Sequence, residues 1–162
     1  MAEISLDANL SAFVTGPVAI NLSSRDSALL PSIARGYGCK VSGDARRITV
    51  FVSVRAAAAL LQDLRAGSPV AAVFCRPNSH ATLQFKSDRA RILPFAAGDR
   101  EIMQAYATAF YAEIVALGFH DAFTAGLVAP TNDDAVAIEF VPSAVFDQTP
   151  GPEAGKPLEI TR

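Results

Sequence analysis

Between Arg47 and Ala72 the chain switches hydrophobic period once, and that switch constrains the fold more than any other feature. Ile48-Thr49-Val50-Phe51-Val52 is β-branched or aromatic throughout, the composition of a half-buried strand. Ser53 then stands as a candidate N-cap. Ala57, Leu60, Leu61 and Leu64 recur at helical spacing as far as Gly67, a candidate C-cap. A strand passing at once into a helix presents backbone N–H groups at the junction. With the Ser53 hydroxyl, and with Arg55 in the first turn, where a cation opposes the helix dipole, the junction carries the donors a phosphate group needs. An ordinary cap followed by a solvated arginine explains the same residues.

The rest of the chain alternates more often than it winds. Val18, Ile20 and Leu22 alternate with Ala19 and Asn21 and close at Ser23-Ser24-Arg25-Asp26. An extended segment runs from about Leu29 to Val41 and ends at the hairpin-type signal Ser42-Gly43-Asp44. After the Ala-rich helix comes the apolar strand Val70–Cys75, closed by Arg76-Pro77-Asn78-Ser79. Thr82 to Lys86 alternates cleanly, and this strand is expected to continue to Ile92 or Leu93, where Pro94 stops it. A second helix, capped at Asp99, carries Ile102, Tyr106, Phe110, Ile114 and Leu117 on one stripe as far as Gly118. A last strand covers about Ala135 to Phe146, before Thr149-Pro150-Gly151-Pro152 breaks it. About six strands and two principal helices predict a mainly β fold: a closed, mainly antiparallel barrel rather than a doubly wound sheet.

Composition narrows the function classes. At 162 residues the chain reads as one domain, with its core over about 14–148 and an extended tail over 149–162. Apolar residues make up 51%, charged residues 19%, and the net charge is −2, which argues against a disordered tail protein or one that grips nucleic-acid backbone. No apolar run is long enough to span a bilayer. Met1-Ala2-Glu3-Ile4-Ser5-Leu6-Asp7 does not read as a signal peptide, so a soluble, cytoplasmic domain is expected. The apolar surplus leaves room for a buried subunit interface, a homodimer being the simplest form. Cys39 and Cys75 sit in apolar β-runs, without disulfide-scaffold or metal-ligand spacing, and read as small buried thiols.

Candidate ligand-binding side chains are few. Arg35 and Lys40 lie in Ala34-Arg35-Gly36-Tyr37-Gly38-Cys39-Lys40, where two glycines suggest a bulge or a close approach by a ligand. Strict alternation sets these two cations on opposite faces; a bulge is needed to bring them together. Solvated edge residues are the plainer explanation. The row Thr82, Gln84 and Lys86 could donate to a ligand on the barrel wall, or simply face solvent. His80 and His120 are isolated. Asp133-Asp134 and Glu153 read as solvated surface, and no nucleophile–histidine constellation, dinucleotide fingerprint or phosphate-binding loop is present in the sequence. No catalytic residue and no metal ligand is assigned.

Taken in order, these segments resemble the pyridoxamine 5′-phosphate oxidase-like family of FMN-binding split β-barrels. The resemblance runs from about Val18 to Leu158. It is carried by Pro31 with Arg35 and Lys40, by Ile48–Ser53 leading into a helix, by Ala71–Pro77, by His80-Ala81-Thr82-Leu83-Gln84-Phe85-Lys86, and by the tail Phe146–Pro152. The last two segments look like those of short bacterial members rather than the vitamin B6 enzyme itself. The resemblance implies a homodimer with FMN in a groove at the subunit interface. It matches Arg35 and Lys40 to the arginine and lysine that contact flavin phosphate and ring. It places Ser53 and Arg55 near the phosphate junction, and Thr82 and Gln84 on the strand flanking the flavin.

Three departures stand against this. Arg55 is followed by Ala56 and Ala57 where the family carries an arginine–lysine pair. Ser87 stands where a glycine commonly follows the lysine. The closing Leu158-Glu159-Ile160-Thr161-Arg162 lacks the substrate-binding arginine and histidine of the B6 enzyme. The expectation is therefore an FMN-dependent oxidoreductase acting on an unidentified small molecule. The alternatives are a non-catalytic flavin- or haem-binding sensor on the same barrel, and a barrel that has lost its cofactor and serves only in interactions.

Overall fold

The computed structural model describes residues 4–122, 124 and 134–158. Among the described residues the elements follow in the order α1 (Ala8–Val14), β1 (Ala19–Arg25), β2 (Pro31–Val41), β3 (Ile48–Ser53), α2 (Ala58–Arg65), β4 (Val70–Cys75), β5 (Thr82–Ser87), β6 (Ala90–Leu93), α3 (Asp99–Ala116), β7 (Ala135–Phe140) and β8 (Ala144–Asp147). The strands form one sheet in the order β6-β7-β3-β2-β1-β4-β5-β8, every ladder antiparallel.

That order forces the sheet to curl. β5 and β6 lie six strand positions apart, a span of about 29 Å in a flat sheet. Yet only Asp88 and Arg89 join them, and three Cα–Cα steps reach about 11 Å. Residues 141–143 make the matching jump from β7 to β8, and the Ser143 N–H donates to the Lys86 carbonyl at 2.8 Å, extending the β5–β8 ladder. The sheet is thus a mainly β, barrel-like half-cylinder. It stays open where a closed barrel was expected, since no ladder joins β6 to β8 among the described residues.

Eight strands replace the expected six because both long strands break at this seam. Thr82–Leu93 divides at Asp88-Arg89, and Ala135–Phe146 divides at Val141-Pro142-Ser143, where proline removes a ladder donor. β1 runs on through the expected turn to Arg25. The hairpin is instead tied by Asp26, whose carboxylate accepts the Ala28 and Leu30 N–H groups at 2.8 and 2.9 Å. Helix α1 was not expected from the sequence; Asp7 caps it by accepting the Leu10 N–H at 2.8 Å.

Ile20, Leu22, Val50, Val52, Phe74, Phe85 and Ile138 fill the inside of the curl without exposure, and Leu60, Leu61 and Leu64 of α2 pack against them. A smaller cluster of Phe51, Met103 and Ala137 lies between the outer face of the sheet and α3. Gly36 is glycine for want of room: a Cβ there stands 2.7 Å from both Ile20 Cγ2 and Val50 Cγ1. Between Gly36, paired with Val52, and Cys39, paired with Val50, β2 carries one residue more than β3. This is the bulge that Gly36 and Gly38 suggested, and it sets what β2 presents outward.

Candidate functional site

The bulge reverses the alternation of β2, so Arg35 and Lys40 share the outer face. Helix α3 lies on that face. A Cβ at Gly38 would sit 3.4 Å from Tyr106 Cβ and 3.5 Å from the Met103 Cα. The two cations therefore meet different parts of one helix. Lys40 forms an ion pair with Asp99, whose side chain is 2% exposed, and lies 5.6 Å from the Phe51 ring centroid. The Asp99 carboxylate also accepts the Ala96 N–H at 2.9 Å. Asp99 was expected to cap α3; Gly98 takes that place with φ +87°, and Asp99, the first helical residue, holds Lys40.

Arg35 lies with its guanidinium carbon 5.1 Å from the Phe110 ring centroid, a cation–π contact. Its Nε and Nη2 are buried and have no hydrogen-bond partner. Below it, burial pushes the Tyr106 hydroxyl up to about 12, with the Arg35 charge pulling the other way. That hydroxyl donates to the Val18 carbonyl at 2.9 Å.

The β2–β3 ladder ends at the Gly36–Val52 pair, and Arg35 and Ser53 are the next residue of each strand beyond it. Ser53 does not cap α2, which begins five residues later behind Ala57 with no side-chain cap. Its hydroxyl accepts the Ala56 N–H at 3.1 Å and donates to Asp134 Oδ2 at 2.6 Å. The Arg55 N–H donates to the same oxygen at 3.2 Å, and the Val54 N–H to the Asp134 carbonyl at 2.6 Å. The Ser53 contact, followed by the Arg55 N–H and charge, lowers the Asp134 carboxyl below its usual range. The strand-to-helix junction is thus an oxyanion-holding corner, and the oxyanion in it belongs to the chain. Asp134, read from sequence as solvated surface, is the corner's acceptor; Asp133 lies outside the described residues.

Thr82 and Gln84 lie elsewhere on the outer face. The register lines up Arg35, Asn21, Val73 and Gln84 in one row across β2, β1, β4 and β5. Gln84 is therefore three strand spacings from Arg35, about 14 Å. The Gln84 side-chain oxygen accepts from the Gln148 amide at 3.3 Å, and the Thr82 hydroxyl donates to the His80 carbonyl at 2.8 Å. Between them Asn21 is exposed, and Ala19, Ser23, Ala71, Val73 and Cys75 are half-buried. Cys75 is thus not the buried thiol expected; Cys39 is, and burial pushes its thiol far up. Among the described residues no three histidine, cysteine or carboxylate side chains gather as a metal site.

The six expected ligand-binding residues therefore divide. Ser53 and Arg55 meet at the Asp134 carboxylate, and Arg35 lies one residue beyond the β2–β3 pair next to Ser53. Lys40 is committed to Asp99, and Thr82 and Gln84 stand apart. The residues the sequence did not reveal, Asp99 and Asp134, are carboxylates that meet their partners 59 and 81 positions away in the chain.

The fold these elements define is that of the pyridoxamine 5′-phosphate oxidase-like split barrels. Among solved structures, the chain is similar to a candidate pyridoxamine 5′-phosphate oxidase from Lactobacillus delbrueckii, at 15% identity and TM-score 0.53, over 88% of this chain and 93% of that one. It is also similar to HupZ of Group A Streptococcus, at 14% identity and TM-score 0.51, over 93% of this chain and all of that one. A pyridoxamine 5′-phosphate oxidase-related, FMN binding protein from Nostoc punctiforme matches at 11% identity and TM-score 0.48, over 85% and 77% of the two chains. At such identities the first two likenesses establish the fold alone. No protein-family profile matches the sequence, and no curated protein matches it.

Proposed function

We propose that this chain is an FMN-binding flavoprotein, a cytoplasmic homodimer supporting oxidoreductase chemistry on a small molecule. The observation that carries the reading is the corner. Two donors, the Ser53 hydroxyl and the Arg55 N–H, converge on one carboxylate oxygen, beside an arginine whose buried Nε and Nη2 have no partner. A terminal phosphate offers three oxygens and takes up all of these donors where a carboxylate takes up two. When bound, the flavin supplies the hydride and electron chemistry, while the protein orients it and sets its surroundings. Arg35, Ser53 and Arg55 would hold the phosphate. The half-buried outer face of β1, β4 and β5 would carry the rest of the ligand and the second subunit, with Thr82 and Gln84 at its far side. No described helix is long and apolar enough to cross a membrane.

The Lys40–Asp99 pair favours a second reading, in which the barrel holds flavin or haem as a sensor without turnover. In this structure the cation expected at the ring is already neutralised by a buried carboxylate. An absorbance spectrum of the purified protein, with FMN titration and light scattering, tests both. Flavin bands near about 375 and 450 nm, or saturable FMN binding by a dimer, supports the flavoprotein. Oxidation of a reduced nicotinamide by the loaded protein decides for the enzyme, and a Soret band for haem. A colourless monomer that ignores FMN sinks the proposal.

A further inference from the structure

The corner meets every ligand with an anion already in it. Ser53 Oγ has a single proton and spends it on Asp134 Oδ2, while its lone pair takes the Ala56 N–H. The Arg55 N–H is spent on the same oxygen. The Ser53 hydroxyl and the Arg55 N–H are thus both committed to Asp134, and two anions at one corner repel. The backbone at Asp134 is fixed independently of its side chain. Its carbonyl accepts the Val54 N–H at 2.6 Å, and the next residue, Ala135, pairs with Ser53 in the β3–β7 ladder. Rotation of one side chain therefore releases both donors without breaking a ladder bond.

We infer that Asp134 is the specificity-determining residue of this corner: its carboxylate is an internal occupant that a phosphate monoester must displace and that an unphosphorylated ligand leaves in place. This rests on reading the corner as the phosphate end of the ligand site. A phosphate entering it gains the Ser53 hydroxyl, the Arg55 N–H and the free N–H groups of Arg35, and loses part of that gain to the displaced carboxylate. The corner thus weighs phosphate against its own side chain, and removal of that side chain shifts the balance.

The test is calorimetric titration of the full chain with inorganic phosphate, FMN and riboflavin. It compares the native sequence, Asp134→Asn, Asp134→Ala and the double variant Ser53→Ala with Asp134→Ala, each checked for folding by thermal melting. The expected result for Asp134→Ala is phosphate and FMN binding tighter by roughly tenfold or more, the worth of one charge-assisted hydrogen bond, with riboflavin unchanged. Asp134→Asn gives a smaller gain, because its amide oxygen still accepts from Ser53. If Asp134→Ala fails to fold, that smaller gain carries the test. The double variant loses the gain, which a merely through-space charge effect would keep.

Unchanged phosphate affinity, absence of phosphate binding in every variant, an equal gain for all three ligands, or a gain that survives in the double variant overturns the inference. A gain for inorganic phosphate with no flavin affinity in any variant upholds the role of Asp134 and removes the flavin reading.

Discussion

At its Lys40 end, the outer face of β2 meets the buried carboxylate of Asp99; at its Arg35 end, it meets the Phe110 ring and two guanidinium nitrogens are left unpaired. Both ends carry one cation against one helix. At the first end the charge is neutralised and Asp99 is also tied to the Ala96 N–H, so the group fastens α3 to the sheet. At the second the cation is sheltered with its Nε and Nη2 unpaired, near a turn that already holds an oxyanion. A satisfied cation serves the fold. A sheltered cation with unused donors is what a ligand needs, and sequence proximity to a glycine bulge does not tell the two apart.

The contrast breaks hardest at Lys40. Lys40→Met leaves Asp99 buried without its counter-charge and is expected to cost about 2–4 kcal/mol in urea unfolding, below the fully buried case because Lys40 is one-third exposed. Adding Asp99→Asn should recover much of that loss; no recovery would show that the pair does not fasten the helix. Arg35→Met should cost less than about 1 kcal/mol of stability, since no hydrogen bond at Nε or Nη2 is lost. The same variant should lose about 1.5–3 kcal/mol of FMN affinity, while Lys40→Met with Asp99→Asn should leave that affinity nearly unchanged. Equal losses at both positions would erase the distinction.

Arg55→Ala should lose about 1 kcal/mol or less of FMN affinity, because the donor at the corner is its backbone N–H, which alanine keeps. The effects of pH appear only at its extremes. The Tyr106 hydroxyl, raised from 10.0 to about 12, contributes stability that is whole below pH 10 and is lost as pH rises through about 12. Arg35→Met should move the tyrosinate absorbance transition still higher. The Asp134 carboxyl is lowered, so its contribution is present above the ordinary carboxylate range and fades as pH falls through the lowered value. Ser53→Ala should shift its carboxyl resonance titration back upward.

How far the sequence reached follows from range. The period-2 runs, the turns and the stripe Ile102, Tyr106, Phe110, Ile114 are local signals, and they yielded the mainly β class and the position of α3. Gly36 and Gly38 announced the bulge, because one had no room for a side chain and the other takes φ +128°. The strand breaks at Asp88-Arg89 and Val141–Ser143 were missed, since each is a short link that carries the chain from one end of the curled sheet to the other. Lys40–Asp99 and Ser53–Asp134 were out of reach: neither carboxylate differs locally from a solvated one, and only the sheet order brings each to its partner.

The place of β7 in that order also bears on how the chain is made. β3 has its edge filled by β7, which is synthesised only after β4, β5, β6 and α3. As the chain leaves the ribosome, Ile48–Ser53, an apolar strand, therefore waits with an open row of N–H and C=O groups, the kind of edge that recruits other chains. Closing it late, through contacts of long sequence separation, makes for slow folding. For this protein the hazardous interval of its life is the one before β7 arrives.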